Sequence, residues 1–148
     1  NFSWAGKLGP GYLIKKEFKP PKFKHFSRGS KIGNTLLTRI RVGRSSLNQH
    51  KFKIGLSDSP ECLCHHKSES PEHFFLECFL YLPERQMLFC LIEHYVPNFY
   101  RLNKKQKLDL ILNGVNIDDE EFFSTNNTLT KGVQNFIIST KRFCSDDK

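Results

Sequence analysis

The chain has 148 residues, 38% of them hydrophobic, with 14 Phe against one Trp and one Met. That length suits one ordinary domain or a core with appendages, and it buries a limited share of its surface, so a bound metal can matter for stability. No apolar stretch approaches the ~20 residues of a membrane span and no signal-peptide core opens the chain. The expectation is a soluble, intracellular protein of nucleus or cytoplasm, without membrane contact.

Charge divides the chain. Residues 1–60 hold 13 of the 23 Lys and Arg and only Glu17 and Asp58 as acids; the other 10 bases and 13 acids follow. A basic half joined to an acidic half points to a polyanion contact on the first. Five cysteines, an odd number, argue against a disulfide framework. The first residue is Asn, as expected of a fragment or a processed chain.

Residues 1–31 read as an irregular basic linker from a preceding domain, punctuated by Gly9, Pro10, Gly11, Pro20, Pro21 and Gly29. Bases alternate there with Phe18 and Phe23. Such a segment can lie along phosphates with its rings on bases, or its Phe residues can pack on the body. A helical module is expected over 32–148. Leu36, Leu37 and Ile40 fall at helical spacing, Gly43 is a stop, and Arg39, Arg41 and Arg44 lie in or beside that helix. Positions 41 and 44 are three apart and are expected to share a face. A second short helix is predicted from Ser46 to Ile54, capped by Ser45 or Ser46 and ended by Gly55. In it Leu47 faces inward, while Lys51 and Lys53 stay in water.

Asp58-Ser59-Pro60 is a turn. Ser70-Pro71-Glu72-His73 reads as a helix start, with Ser70 as cap and Pro71 at the first position. Pro83 opens the next helix, whose apolar stripe is expected to be Met87, Leu88, Leu91, Ile92 and Tyr95, with Cys90 in the apolar face and Pro97 as the stop. Further helices are predicted over Lys104–Leu112, stopped by Gly114, and over Leu129–Phe143, with Val133, Phe136, Ile137 and Thr140 on one side. An acidic loop, Asp118–Glu121, separates them. The fold expected is mostly α, stapled by one zinc knuckle over 60–80.

The knuckle rests on Cys62, Cys64, His73 and Cys78, spaced C-x-C-x8-H-x4-C. Thiolates and imidazole in a tetrahedron are what zinc takes, and four filled positions leave none for water, so such an ion is structural. Five residues from His73 to Cys78 exceed one helical turn, so distortion near Cys78 is expected. His65 or His66 could replace His73 only through a strained local loop. Cys90 and Cys144 read as ordinary thiols. Three reduced thiols and a surface histidine are the competing interpretation.

Several parts recur in a known order: Leu36-Leu37-Thr38-Arg39-Ile40-Arg41-Val42-Gly43-Arg44, then Ser46-Leu47-Asn48, then Cys62 and Cys64, then Glu72-His73-Phe74-Phe75-Leu76-Glu77-Cys78. This order resembles the C-terminal zinc-knuckle region of reverse transcriptases from non-LTR (LINE-type) retrotransposons, over about residues 33–143. The closing 136–143 stretch is similar to the tail of some animal elements. The resemblance implies a module that helps hold RNA or DNA for target-primed reverse transcription, beside an upstream reverse transcriptase domain in the parent polypeptide. No enzyme is expected in this chain. Its only adjacent Asp pairs, Asp118-Asp119 and Asp146-Asp147, lack the strand context and tyrosine of a polymerase motif, and no nuclease acidic set is identifiable. Arg39, Arg41 and Arg44, helped by Lys51 and Lys53, are the candidate phosphate contacts. The alternative is a zinc-stapled module that docks on the polymerase core without touching nucleic acid.

Overall fold

The computed structural model describes residues 30–115 and 123–144. The basic segment 1–29 and the acidic loop Asp118–Glu121 lie outside the described residues. Among the described residues the regular structure is helical throughout: α1 (Lys31–Arg41), α2 (Asn48–Lys53), a π-turn (His73–Glu77), α3 (Leu82–Tyr95), α4 (Lys104–Asn113) and α5 (Phe123–Thr140), with short 3-10 turns at Phe79–Tyr81 and Phe99–Arg101. None is long and apolar enough to cross a membrane.

Local chemistry sets most of these boundaries. Ser30 caps α1, its Oγ accepting the Gly33 N–H at 2.9 Å, so the helix begins at Lys31, one residue inside the expected linker. It stops at Val42 because Gly43 turns left-handed at φ 75°. α2 is shorter than expected. Its cap position is Leu47, without a side-chain cap bond, and Ser45 Oγ accepts from the Leu47 N–H instead. α4 opens with a capping box in which Asn103 Oδ1 accepts the Gln106 N–H and Gln106 Oε1 accepts the Asn103 N–H.

α5 is the axis on which α1, α3 and α4 all pack. It starts six residues earlier than the apolar pattern predicts, because buried Asn126 holds the chain before it: Asn126 Oδ1 accepts the Val115 N–H and its Nδ2 donates to the Val115 carbonyl. It ends three residues early, at Thr140, where Lys141 turns to φ 58°. Gly132 lies where α3 comes closest; a side chain there would run into Leu91. Of the stripe expected on α3, Leu88 and Ile92 are buried and Leu91 and Tyr95 partly so, and only Met87 falls outside it. Arg85, Leu88 and Ile92 are its buried positions, Met87 is 77% exposed and Cys90 is also exposed. Packing against α5, rather than apolar count, chooses the inward face.

The core centres on Phe74. Its ring meets Phe75, Tyr81, Phe136 and Phe143 edge-on at 5.0–5.5 Å, an arrangement that favours aromatic quadrupoles. Cys62 and Cys78 are buried in the same cluster. The knuckle is thus a wall of the core.

A buried ion pair locks the residues after α5 and those before α2 to this wall. Glu69 is wholly buried, and Arg142 donates Nε to its Oε2 and Nη2 to its Oε1, both at 2.7 Å. Arg142 Nη2 also reaches the Ser46 carbonyl, and Glu69 Oε1 accepts the Asn48 N–H. Arg142→Ala strands a buried carboxylate and is expected to cost about 3–5 kcal/mol, measured by urea unfolding. Glu69→Leu with Arg142→Met should recover part of that loss; a single variant with unchanged stability would contradict this account.

Candidate metal centre

Two local structures carry the four ligand side chains. The first is a tight loop: the Cys62 N–H donates to the His66 carbonyl and the His65 N–H to the Cys62 carbonyl, at 2.9 and 2.8 Å. His65 takes φ 76° to close it. A Cys-x-Cys pair therefore turns both sulfurs inward without the extra residue of a C-x2-C loop. The second is the helix start expected at Ser70, whose Oγ accepts the His73 N–H at 3.1 Å. From His73 onward the helix widens into a π-turn, and the Cys78 N–H donates to the His73 carbonyl five residues back, at 2.8 Å. That is the distortion the spacing called for. A π-turn leaves carbonyls of Phe74 and Phe75 without the usual helical donors; buried Arg85 supplies them, Nη2 to Phe74 at 3.1 Å and Nε to Phe75 at 2.8 Å.

The donor atoms of Cys62, Cys64, His73 and Cys78 all lie within 4.8 Å of one another. Cys62 Sγ and Cys78 Sγ are 3.7 Å apart, and Cys64 Sγ is 3.2 Å from His73 Nε2. Zinc–sulfur bonds of about 2.3 Å span a tetrahedral edge of roughly 3.7 Å, so the sulfur pair fits one ion. The cysteines are free thiols. The cluster can hold a metal ion.

Burial sets the protonation of the same atoms. Burial pushes the Cys62 thiol up to about 12 and raises Cys78 as well; two buried thiols this close need a cation before they ionise. Burial, with the neighbouring His66, lowers the His73 pKa, which leaves its imidazole neutral and ready to ligate. Its other nitrogen, Nδ1, is 3.5 Å from Glu77 Oε1. The carboxylate lies where metal-binding histidines normally have an outer-shell partner, although Nδ1 completes no hydrogen bond to it. Lys104 at the start of α4 bonds the other oxygen of Glu77 and holds its carboxyl below the usual range.

The two competing histidines are placed differently. His65 is at the exposed tip of the loop, 3.8 Å from Glu61. His66 stacks flat on His73, centroids 4.1 Å apart, with Nδ1 against Ser68. It lies with His73 and Glu77 in a second close group, on the outer side of the ring. Arg85, Glu77, Lys104 and the His66 stack support the site without a clear mark in the sequence; only Glu77 carries a signal, its position beside the cluster.

The basic residues divide. Arg39, Arg44 and Lys53 are exposed and Lys51 is half-buried. Arg41 is drawn into the body, its Nε donating to the Leu112 carbonyl at 2.5 Å. Since α1 ends at Arg41, Arg44 stands past the Gly43 turn rather than on a shared helical face, which corrects the expected pairing of 41 with 44. No protein-family model, curated protein or solved structure matches the chain.

Metal uptake should release about three protons, one from each of Cys62, Cys64 and Cys78, because zinc binds cysteine as the thiolate while His73 is already neutral. Apparent affinity should therefore rise about 1000-fold per pH unit near neutrality, read by zinc titration calorimetry in buffers of different ionisation enthalpy. Proton-independent binding would mean that other atoms take the ion. His73→Ala should lose the metal while His65→Ala and His66→Ala keep it, by elemental analysis; retention by the first variant reassigns the fourth ligand.

Proposed function

We propose that the chain is a zinc-stapled, nucleic-acid-binding module of the kind found in the C-terminal region of non-LTR retrotransposon reverse transcriptases. It holds RNA or DNA for target-primed reverse transcription, performs no catalysis itself, and works beside an upstream reverse transcriptase domain. The observation that carries the zinc assignment is the closed set of three thiols and one imidazole nitrogen within 4.8 Å. Zinc takes such a set at structural sites, and four protein ligands leave no coordination position for a reacting water.

The nucleic-acid part is supported by charge. Arg39, Arg44 and Lys53 stand exposed, with Lys51 half-buried beside them, and no acid occurs between Glu17 and Asp58. These side chains suit phosphate contacts, which set position without reading sequence. Arg41 contributes through its bond to Leu112 instead, fixing the end of α1 against α4.

A second reading, a module docked on the polymerase core, is favoured by the exposed apolar side chains that follow the knuckle: Phe79, Leu80, Leu82 and Met87. Salt dependence separates the two. Changing Arg39, Arg44, Lys51 and Lys53 to Gln should leave zinc content and helicity intact. It should weaken binding of single-stranded RNA and DNA. The log-affinity against log-salt slope should become shallower by about 0.7 for each phosphate no longer neutralised. Fluorescence anisotropy over a salt series measures it. Equal binding by variant and wild type, or none by either at low salt, favours docking.

A further inference from the structure

The half of the chain with negative net charge contains a basic surface of its own. The turn Phe99–Arg101 and the start of α4 carry Arg101, Lys104, Lys105 and Lys107, and no acid lies between Glu93 and Asp109. Tyr100 stands among them, 51% exposed. Its ring meets Phe99 at 6.0 Å and Phe89 at 6.2 Å, both steeply inclined, and those two rings meet edge-on at 5.0 Å. Lys107 Nζ lies 5.7 Å from the Phe99 centroid and 5.9 Å from that of Tyr100. The Tyr100 ring is thus held by packing before any ligand arrives, which lowers the ordering cost of a contact.

The neighbouring carboxylates leave this surface positive. Glu77 is paired with Lys104, and the charges of Asp109, which accepts from Asn113, and of Glu93, whose field reaches Tyr100, are outnumbered by Arg101, Lys105 and Lys107. Arg101 and Lys105 stay exposed. The capping box of Asn103 and Gln106 occupies backbone donors at the start of α4, so the side chains, not the helix terminus, would meet an anion.

We propose that Tyr100, Arg101, Lys105 and Lys107 form a contact surface for single-stranded nucleic acid. Tyr100 stacks on an unpaired base, and the cations follow the adjoining phosphates. The proposal rests on the reading of the module as a nucleic-acid binder and gives it a second, separate contact. A fixed half-exposed ring amid cations fits a strand that offers base faces and phosphates at once, whereas a duplex hides its base faces. The bond from Lys104 to Glu77, whose other oxygen lies 3.5 Å from His73 Nδ1, places this surface beside the candidate metal centre.

Fluorescence anisotropy of the zinc-loaded chain with labelled 12-nucleotide oligo(U) and oligo(dT) tests the surface. Tyr100→Ala should weaken binding by about 5- to 100-fold and Tyr100→Phe should bind like wild type, since stacking needs the ring and not the hydroxyl. Arg101→Gln with Lys105→Gln should make the log–log salt slope shallower by about 1.4, from ~0.7 per phosphate. All variants should keep zinc and helicity, because the altered groups are exposed. If wild type binds, the Arg39/Arg44/Lys51/Lys53 variant loses binding and Tyr100→Ala does not, this surface is overturned and the nucleic-acid reading stands. If wild type binds neither oligonucleotide but binds phosphatidylserine vesicles or polyglutamate, both are overturned.

Discussion

Everything in this structure turns on bringing His73 and Cys78 to one point. Five residues apart on a regular α-helix, two side chains diverge by about 140°. The π-turn adds a residue to that turn and brings Cys78 back beside the cluster. It does so at a cost in backbone bonding, which Arg85 offsets by donating to the freed carbonyls. The same turn drives Phe74 and Phe75 into the middle of the core. Ligand geometry and core packing are therefore one constraint, and a change in the turn is felt by both.

The buried polar groups follow from that constraint. A knuckle loop built into the core wall carries backbone and side-chain polar atoms where water is scarce, and each needs a partner. Glu69 and Arg142 meet this need between distant parts of the chain, binding the loop before the π-turn to the end of α5 and the start of α2. A buried ion pair adds little net stability compared with apolar residues. It does fix which segments of chain meet, and here it places the Ser45–Asn48 bend against the knuckle.

α4 connects the remaining parts. At its start, Lys104 bonds Glu77 behind the ligand His73; at its end, the Leu112 carbonyl receives Arg41 of α1. One helix thus joins the metal centre to both basic regions, the exposed side chains around α1 and α2 and the Tyr100 surface at its own first turn. Those contacts hold the two basic regions in fixed relation on either side of the candidate metal centre.

Sequence by itself determined what local chemistry decides. Gly43, Ser70, Pro83 and Gly114 lie within a few residues of an element boundary, because capping, left-handed turns and proline act over that short range. The Cys62, Cys64, His73 and Cys78 spacing was legible for the same reason, including the strain at Cys78. Tertiary structure decided what depends on residues far apart in the chain. The inward face of α3 was set by its approach to α5 at Gly132, so Met87 is outside despite its apolar side chain. Arg41 reads along the chain as a phosphate contact, but the carbonyl of Leu112, 71 residues later, takes its Nε. The early start of α5 awaited Asn126 and Val115. Burial, unlike capping, is a property of the assembled chain, and no spacing along the sequence encodes which neighbour will supply it.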